Sequence, residues 1–421
     1  MKVVVKKFGG TCVESEESQN ISAERIMESK DRGLYPVIVV SAAGRLGQPY
    51  STAELVQTAT RINPNIKPRE LDLLMSCGEI ISTVAMANLL SGKGYDTIAL
   101  SGGQAGIITD VYHGHAHIIR LEPEGILKAL QARKMVFVTG FQGVSERHAI
   151  TTLGEGGSDY TAVALAVILG QRPQLPFGDE LEMMPLHIFK DVDGVMTTNP
   201  DNLTGDGAGE TARLLNQLSF DECVEMSRLG AEVLQHKASV MARKHGIQLM
   251  VRNFKNAEWM GTCVGTEAAP TADGKATAVA DIPNLVQFSI KSDNPRLSSQ
   301  LAEHFGLERL FLFELTAREP GEVSFAIKRE KYRDVIDLVE RMLFLRGIKA
   351  QIGAGGWGLV SLVGEKLSGD KSNWQKSTAK ALKNAGIEVP ATTCGDLSVS
   401  CLISEEQRIE AVKLLHSRFV L

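Results

Sequence analysis

Over the first 265 residues, short apolar runs alternate with stretches in which apolar positions recur at helical spacing. Val3-Val4-Val5 and residues 37–40, 97–100, 136–138, 188–189 and 248–251 predict strands, and the β-branched runs suit a parallel sheet covered on both faces. Residues 18–29, 71–90, 160–169, 220–229 and 233–244 predict helices, and another begins near Thr52. The helix over 71–90 is interrupted at Gly78-Glu79, and Ser158 or Asp159 is placed to cap the one over 160–169. Most of these strands end in small or polar residues: Gly9-Gly10, Ser41-Ala42-Ala43-Gly44, Ser101-Gly102-Gly103, Thr139-Gly140-Phe141-Gln142-Gly143 and Lys190-Asp191-Val192-Asp193-Gly194. Such loops are what an open α/β sheet presents at its ligand-binding edge.

The texture changes after residue 265. Residues 268–275 are rich in Ala, Thr, Pro and Gly and predict a linker. Beyond them the order β-α-β-β-α occurs twice. The first copy takes strands 285–290, 310–315 and 323–327 with helices 296–305 and 332–345. The second takes strands 359–362, 389–393 and 397–403 with helices 374–385 and 406–419. Two such copies side by side predict a ferredoxin-like pair, used either to hold subunits together or to sense a small molecule. The expected division is 1–265, a linker over 266–282, and repeats over 283–353 and 354–421.

Composition narrows the function classes. The chain of 421 residues is 43% hydrophobic and 23% charged, with a net charge of −5, ordinary values for a globular protein. That balance gives no electrostatic case for nucleic acid. No apolar run is expected to approach the ~18 residues of a membrane span, and Met1-Lys2 leads directly into a strand. The expected compartment is the cytoplasm. Its six cysteines are scattered without a Cys-x-x-Cys pair, which points to free thiols.

Two stretches carry candidate chemistry. In the first, Lys6-Lys7-Phe8-Gly9-Gly10-Thr11 follows a buried strand and precedes a helix. Bare glycine amides and a lysine share the charge of a polyphosphate well, although an ordinary tight turn with a surface lysine has the same signature. In the second, Thr152-Leu153-Gly154-Glu155-Gly156-Gly157-Ser158-Asp159 leads into a helix. Its N-terminus favours an anion while Asp159 suits an ammonium; a glycine-rich connector with a cap is the plain alternative. His113-Gly114-His115-Ala116-His117 has the alternation of a zinc-binding strand, but metal is not expected there.

Taken together, Lys7-Phe8-Gly9-Gly10-Thr11-Cys12-Val13 resembles the Lys-Phe-Gly-Gly-Thr-Ser-Val signature of aspartate kinases. Ser41-Ala42-Ala43-Gly44, Ser76-Cys77-Gly78-Glu79, Gly103-Gln104-Ala105-Gly106, Gly156-Gly157-Ser158-Asp159 and Asp191-Val192-Asp193-Gly194-Val195 fall in that family's order. The resemblance covers essentially the whole chain. It implies an amino-acid-kinase three-layer αβα sandwich followed by a pair of ferredoxin-like ACT domains that hold a homo-oligomer. It further implies that ATP, with Mg²⁺, donates its γ-phosphoryl group to the side-chain carboxylate of aspartate in amino-acid biosynthesis. Lys7 and Asp159 would be the catalytic residues. Lys7, Phe8, Gly9, Gly10, Ser41, Lys190, Asp191, Met196, Asn199 and Asp201 would line the nucleotide. Thr52, Glu79, Phe141, Gln142, Glu155, Gly156, Gly157, Ser158 and Asp159 would line the amino acid, with Glu79 and Asp159 on its ammonium.

The chain departs from that pattern at several points. Glu155 stands where the family has an arginine for a substrate carboxylate, Asp201 where it has an arginine, and Glu232 where it has a lysine. Lys190 and Lys237 are candidates to restore positive charge, and Arg45, in an inserted stretch, to supply the missing guanidinium. If Arg45 does so, Arg45→Ala raises KM for aspartate. These departures leave open a relative that phosphorylates another amino-acid carboxylate, or a catalytically weak regulatory homologue. Asp293-Asn294-Pro295-Arg296 and Gly369-Asp370-Lys371-Ser372 lack the family's Pro-Gly turn, so weak or absent inhibition by lysine and threonine is expected.

Overall fold

The computed structural model describes residues 1–172, 174, 180–203, 211–231, 234–256, 258, 260–267, 275–291, 313–315, 322–329 and 349–421. The chain divides into two compact units. One holds Met1–Val195, Leu214–Val224 and Glu232–Ala268; the other holds Met196–Arg213, Glu225–Ala231 and Ala269–Leu421.

In chain order the elements up to residue 265 begin with β1 (Lys2–Phe8), α1 (Glu16–Asp31), β2 (Tyr35–Val40), α2 (Thr52–Ile62) and α3 (Pro68–Gly92). Then come β3 (Thr97–Leu100), β4 (Ile107–Thr109), β5 (Ile118–Leu121), α4 (Glu124–Gln131), β6 (Met135–Thr139), β7 (Gln142–Ser145) and β8 (Ile150–Thr152). They are followed by α5 (Gly157–Gly170), β9 (Glu182–Met183), β10 (Leu186–Lys190), β11 (Gln217–Ser219), α6 (Phe220–Arg228), α7 (His236–His245), β12 (Leu249–Asn253) and β13 (Thr262–Gly265).

The main sheet runs β11-β13-β12-β10-β1-β2-β6-β3, with β9 beside β1. Its pairs are parallel except β12 with β13. Val3, Val5, Val37, Val39, Val136 and Val138 are fully buried or nearly so, as strands covered on both faces require. On one face Phe8, Ile38, Val40, Phe137 and Phe189 pack with Ala23 and Ile26 of α1 and Met86 and Leu90 of α3. On the other, α5 lies along β1, β2 and β10. This is the αβα sandwich expected. The register sets Phe8 opposite Val40 and Phe189, and Val40 opposite Thr139, so the strands end in line and their loops gather at one edge.

Several local expectations are corrected. Lys6 and Lys7 lie inside β1 rather than after it. α3 runs unbroken through Gly78-Glu79, and Gly78 is there because a Cβ would stand 2.5 Å from the Tyr50 carbonyl oxygen. By length and composition α3 is also apolar enough to cross a membrane, contrary to the expectation of no such run. It is instead a packed helix of this unit, burying Asp72, Ser76, Glu79, Met86 and Leu90. α5 is capped by Gly156 in the left-handed conformation (φ 69°); Ser158 and Asp159 sit in its first turn.

The second unit contains β14 (Ala278–Lys291), β15 (Phe313–Leu315), β16 (Glu322–Lys328), β17 (Lys349–Val363), α8 (Lys371–Asn384), β18 (Ala391–Cys394), β19 (Ser398–Ser404) and α9 (Arg408–Phe419). Its strands form one antiparallel sheet, β15-β16-β14-β17-β19-β18. β14 and β17 are longer than predicted because each serves both repeats. Residues 278–282 pair with 359–363, and residues 285–291 pair with β16. Ala276 and Val279 are buried with Val360, Leu362, Leu382 and Leu415, so this part of the expected linker belongs to the core of the second repeat. The helices expected over 296–305 and 332–345, the 293–296 turn and Glu232 lie outside the described residues. At the corresponding turn of the second repeat, Asp370 caps α8 by accepting from the Asn373 N–H at 3.1 Å.

Candidate active site

The side chain of Lys7 leaves β1 toward α5, where its Nζ meets Asp159 Oδ1 at 2.8 Å, both groups more than nine-tenths buried. Burial by itself would raise the Asp159 carboxyl. Lys7 and Lys190, with the Gln235 N–H donating to Oδ2 at 3.4 Å, outweigh it and hold the group below its ordinary value. Removing one partner of a buried pair of this kind typically costs about 3–5 kcal/mol. Gly9 stands beside the amine: a Cβ there would lie 3.7 Å from Lys7 Nζ. A Cβ on Gly10 would meet the Ala42 carbonyl oxygen at 2.8 Å, so the turn after β1 admits only glycine against the turn after β2.

Glu79 approaches the same edge from α3. Its Oε1 accepts from the Ala42 N–H at 3.2 Å, while Oε2 is buried without a hydrogen-bond partner. Burial pushes the carboxyl up to about 8, opposed in part by that N–H. A buried acceptor left unmatched is the position from which a carboxylate takes an ammonium donor from a ligand.

The other expected residues divide into those at the edge and those committed elsewhere. Ser41 follows β2 and its N–H donates to the Phe8 carbonyl at 3.1 Å; Lys190 ends β10. Phe8 contributes only backbone, since its ring stacks on Phe189 in the core at 4.8 Å. Asp191 is exposed and paired with Arg45 at 3.1 Å, so Arg45 holds this carboxylate rather than standing as a free guanidinium. Lys237, expected as a source of phosphate-binding charge, has its amine 3.3–3.4 Å from the carbonyl oxygens of His115, Ala116 and Leu153. Gln142 is buried and donates to the Ser76 carbonyl at 3.0 Å. Phe141 holds a left-handed backbone (φ 67°), pinned by bonds from its N–H to Thr161 and from Leu153 N–H to its carbonyl. Ser158 is buried against Gly140, where a Cβ would stand 2.5 Å from its Oγ. Glu155 and Gly156 are exposed, Gly157 is buried, and Thr52 opens α2 directly after its cap Ser51. Met196, Asn199 and Asp201 belong to the second unit, where Asn199 Oδ1 accepts from the Asp201 N–H at 3.0 Å.

Sequence reasoning missed three participants. Ser82 accepts from the Ala43 N–H at 2.9 Å, Gln235 donates to Asp159, and Asp72 is fully buried against β8. Only Asp72 left a signal: it lies seven residues before Glu79, on the same face of α3. Among the described residues no group of three or more His, Cys, Asp or Glu side chains is placed to hold a metal ion. His113 Nδ1 instead binds Asp72 at 2.7 Å. Mg²⁺ delivered on a nucleotide keeps waters and phosphate oxygens and needs only one or two carboxylates from the protein, and Asp191, exposed directly after β10, is a carboxylate of that kind.

Comparison with known proteins gives the family and the fold. Residues 2–253 match the amino acid kinase family and residues 360–419 match an ACT domain. The chain is 34% identical to an aspartokinase of Bacillus sp. strain MGA3, covering 100% of this chain and 98% of that one. It is 33% identical to an aspartokinase of Geobacillus stearothermophilus, covering 100% and 97%. The structure of E. coli aspartokinase III in complex with aspartate and ADP superposes with a TM-score of 0.73 over 99% of each chain at 22% identity, a likeness of fold.

Proposed function

The chain belongs to the aspartokinase family, and on that footing we propose that it uses ATP to phosphorylate the side-chain carboxylate of aspartate. The observation that carries the reading is the buried Lys7–Asp159 pair set beside the glycine turn at the carboxyl ends of the parallel strands. Phosphoryl transfer needs little covalent help from a protein; it needs alignment and fixed positive charge on the transferring oxygens. Lys7 supplies that charge, and the amides around Gly9 and Gly10 have no side chain to keep a phosphate away. Ser41, Lys190 and Asp191 line the nucleotide, and Mg²⁺ bound to ATP offsets charge on its phosphates. Glu79, with one oxygen unmatched, and Asp159 receive the ammonium of the amino acid. The carboxylate oxygen of aspartate then attacks the γ-phosphorus, ADP leaves, and the product is an acyl phosphate.

The six cysteines are free thiols, which fits catalysis in the reducing cytoplasm. The ACT pair serves to hold a homo-oligomer together. Exposed Glu155 favours a second reading, in which another amino-acid carboxylate is the acceptor. Hydroxylamine converts acyl phosphates to hydroxamates, so one panel tests both. With ATP and Mg²⁺, aspartate should give the hydroxamate and glutamate little. Hydroxamate from a different amino acid alone would transfer the assignment to that acceptor, and none from any would end it.

A further inference from the structure

One face of α3 fastens three separate pieces of the strand-end edge. Positions four and seven residues apart fall together on a helix, and here they are Asp72, Ser76 and Glu79. Glu79 accepts from the loop after β2, and the Ser76 carbonyl accepts from Gln142 after β6. Asp72 takes the third piece. With no accessible surface, it accepts from Thr152 N–H at 3.1 Å, Thr152 Oγ1 at 2.5 Å, Gly114 N–H at 3.0 and 3.1 Å, and His113 Nδ1 at 2.7 Å. A carboxylate can only accept, so His113 carries its proton on Nδ1. These donors saturate both oxygens and tie α3 to β8 and to the loop after β4.

Thr152 is the last residue of β8, and the loop that follows ends in the first turn of α5, where Asp159 stands. The far side of this loop is held as well. Ala116 N–H donates to the Thr152 carbonyl at 2.9 Å, and the Lys237 amine reaches the Leu153 carbonyl. We infer that Asp72 is a positioning residue for the amino-acid subsite, holding residues 153–157, and through them Asp159, in place opposite Lys7. The inference rests on the proposed function for what Asp159 and Glu79 bind. Asp72 touches none of Gly9, Gly10, Ser41 or Lys190, so its loss raises KM for the amino acid and, through Asp159 and Lys7, lowers turnover, while KM for the nucleotide stays. Helix packing alone would show no such selectivity.

Steady-state kinetics of the full chain carrying Asp72→Asn, Thr152→Val or His113→Ala test this. Asparagine keeps the shape but places an N–H₂ group against donors. Asp72→Asn should raise KM for aspartate about tenfold or more and leave KM for ATP within about twofold; Thr152→Val should raise KM for aspartate about threefold. Equal rises in both KM values, or an unchanged KM for aspartate, overturn the inference. If Asp72→Asn does not fold, an unchanged KM for aspartate in the other two variants overturns it equally. Hydrogen exchange keeps this separate from the function: exchange at residues 153–159 should quicken in the variants while residues 9–10 and 41–44 stay as they were. Unchanged exchange at 153–159 defeats the inference, whereas a wild-type protein that makes no hydroxamate defeats the function alone.

Discussion

Lys6 and Lys7 are neighbours on β1, almost equally buried at 5% and 7% exposure, and they face opposite sides of the sheet. Lys7 faces α5 and meets a carboxylate at 2.8 Å. Lys6 faces α1, donates to the Arg25 carbonyl, lies 5.4 Å from the centre of the Phe189 ring, and feels the charges of Arg252, Arg32 and Arg25. Burial first, and those arginines second, push the Lys6 ammonium down to about 7. His187, opposite it on β10, is pushed down to about 3, again mainly by burial. The difference lies in the partner: Lys7 has a carboxylate built to face it, while Lys6 has a carbonyl, a ring and other cations, and its charged form is disfavoured. Of the two faces, the one with the carboxylate has the charge that phosphoryl transfer needs.

The largest effect expected from this contrast is at Lys7. Lys7→Met should lower turnover by about 10²–10³-fold or more, the usual cost of losing a charge aimed at the transition state. It should also destabilise the fold by about 3–5 kcal/mol, because Asp159 stays buried and unmatched. Lys7→Met with Asp159→Asn should recover most of that stability in urea titrations and none of the turnover, separating the pair's two roles.

Glu79 carries the contrast to a carboxylate. Its folded-state value of about 8 lies above the ordinary 4.5, so the empty protein binds an extra proton between those limits. The stability associated with Glu79 is therefore present below 4.5 and is lost as pH rises toward 8; Glu79→Gln should remove that slope from pH-dependent urea midpoints. Because an ammonium prefers the ionised group, KM for aspartate should fall as pH rises through 8, and in Glu79→Gln it should be higher and flat. A wild-type KM independent of pH from 6 to 9 would separate Glu79 from the amino acid.

The smallest effect belongs to Lys6. Lys6→Met should leave turnover within about twofold, since the group faces packing rather than substrate. Its folded-state value, about 7 against 10.5, means that the unfolded chain binds more protons in that window. Wild-type stability should therefore gain on Lys6→Met from pH 7 to 10, by at most about 1.4 kcal/mol per pH unit. Collapse of turnover in Lys6→Met would dissolve the distinction between the two faces.

Much of this was legible before the structure. Valine runs ending in glycine turns marked the parallel sheet and its loaded edge, and Lys7, Glu79 and Asp159 stood out on family motifs. Periodicity placed α3 but broke it at Gly78, because a sequence does not show that Tyr50 needs the space a Cβ would fill. The long β14 hid its first part in residues that read as linker, since its partners, 359–363, lie eighty residues on. Asp72 escaped notice because its meaning lies in donors from a distant loop and the end of a distant strand. Lys237 and Arg45 carry the right charge, but only coordinates show which oxygens already hold them.

The most direct test of the central claim is a crystal structure with aspartate and a non-hydrolysable ATP analogue. The terminal phosphate should lie within hydrogen-bonding reach of Lys7 Nζ, about 3 Å, with the aspartate ammonium on Glu79 and Asp159. A nucleotide bound with its phosphates away from the end of β1, and Lys7 still closed on Asp159 alone, would contradict it.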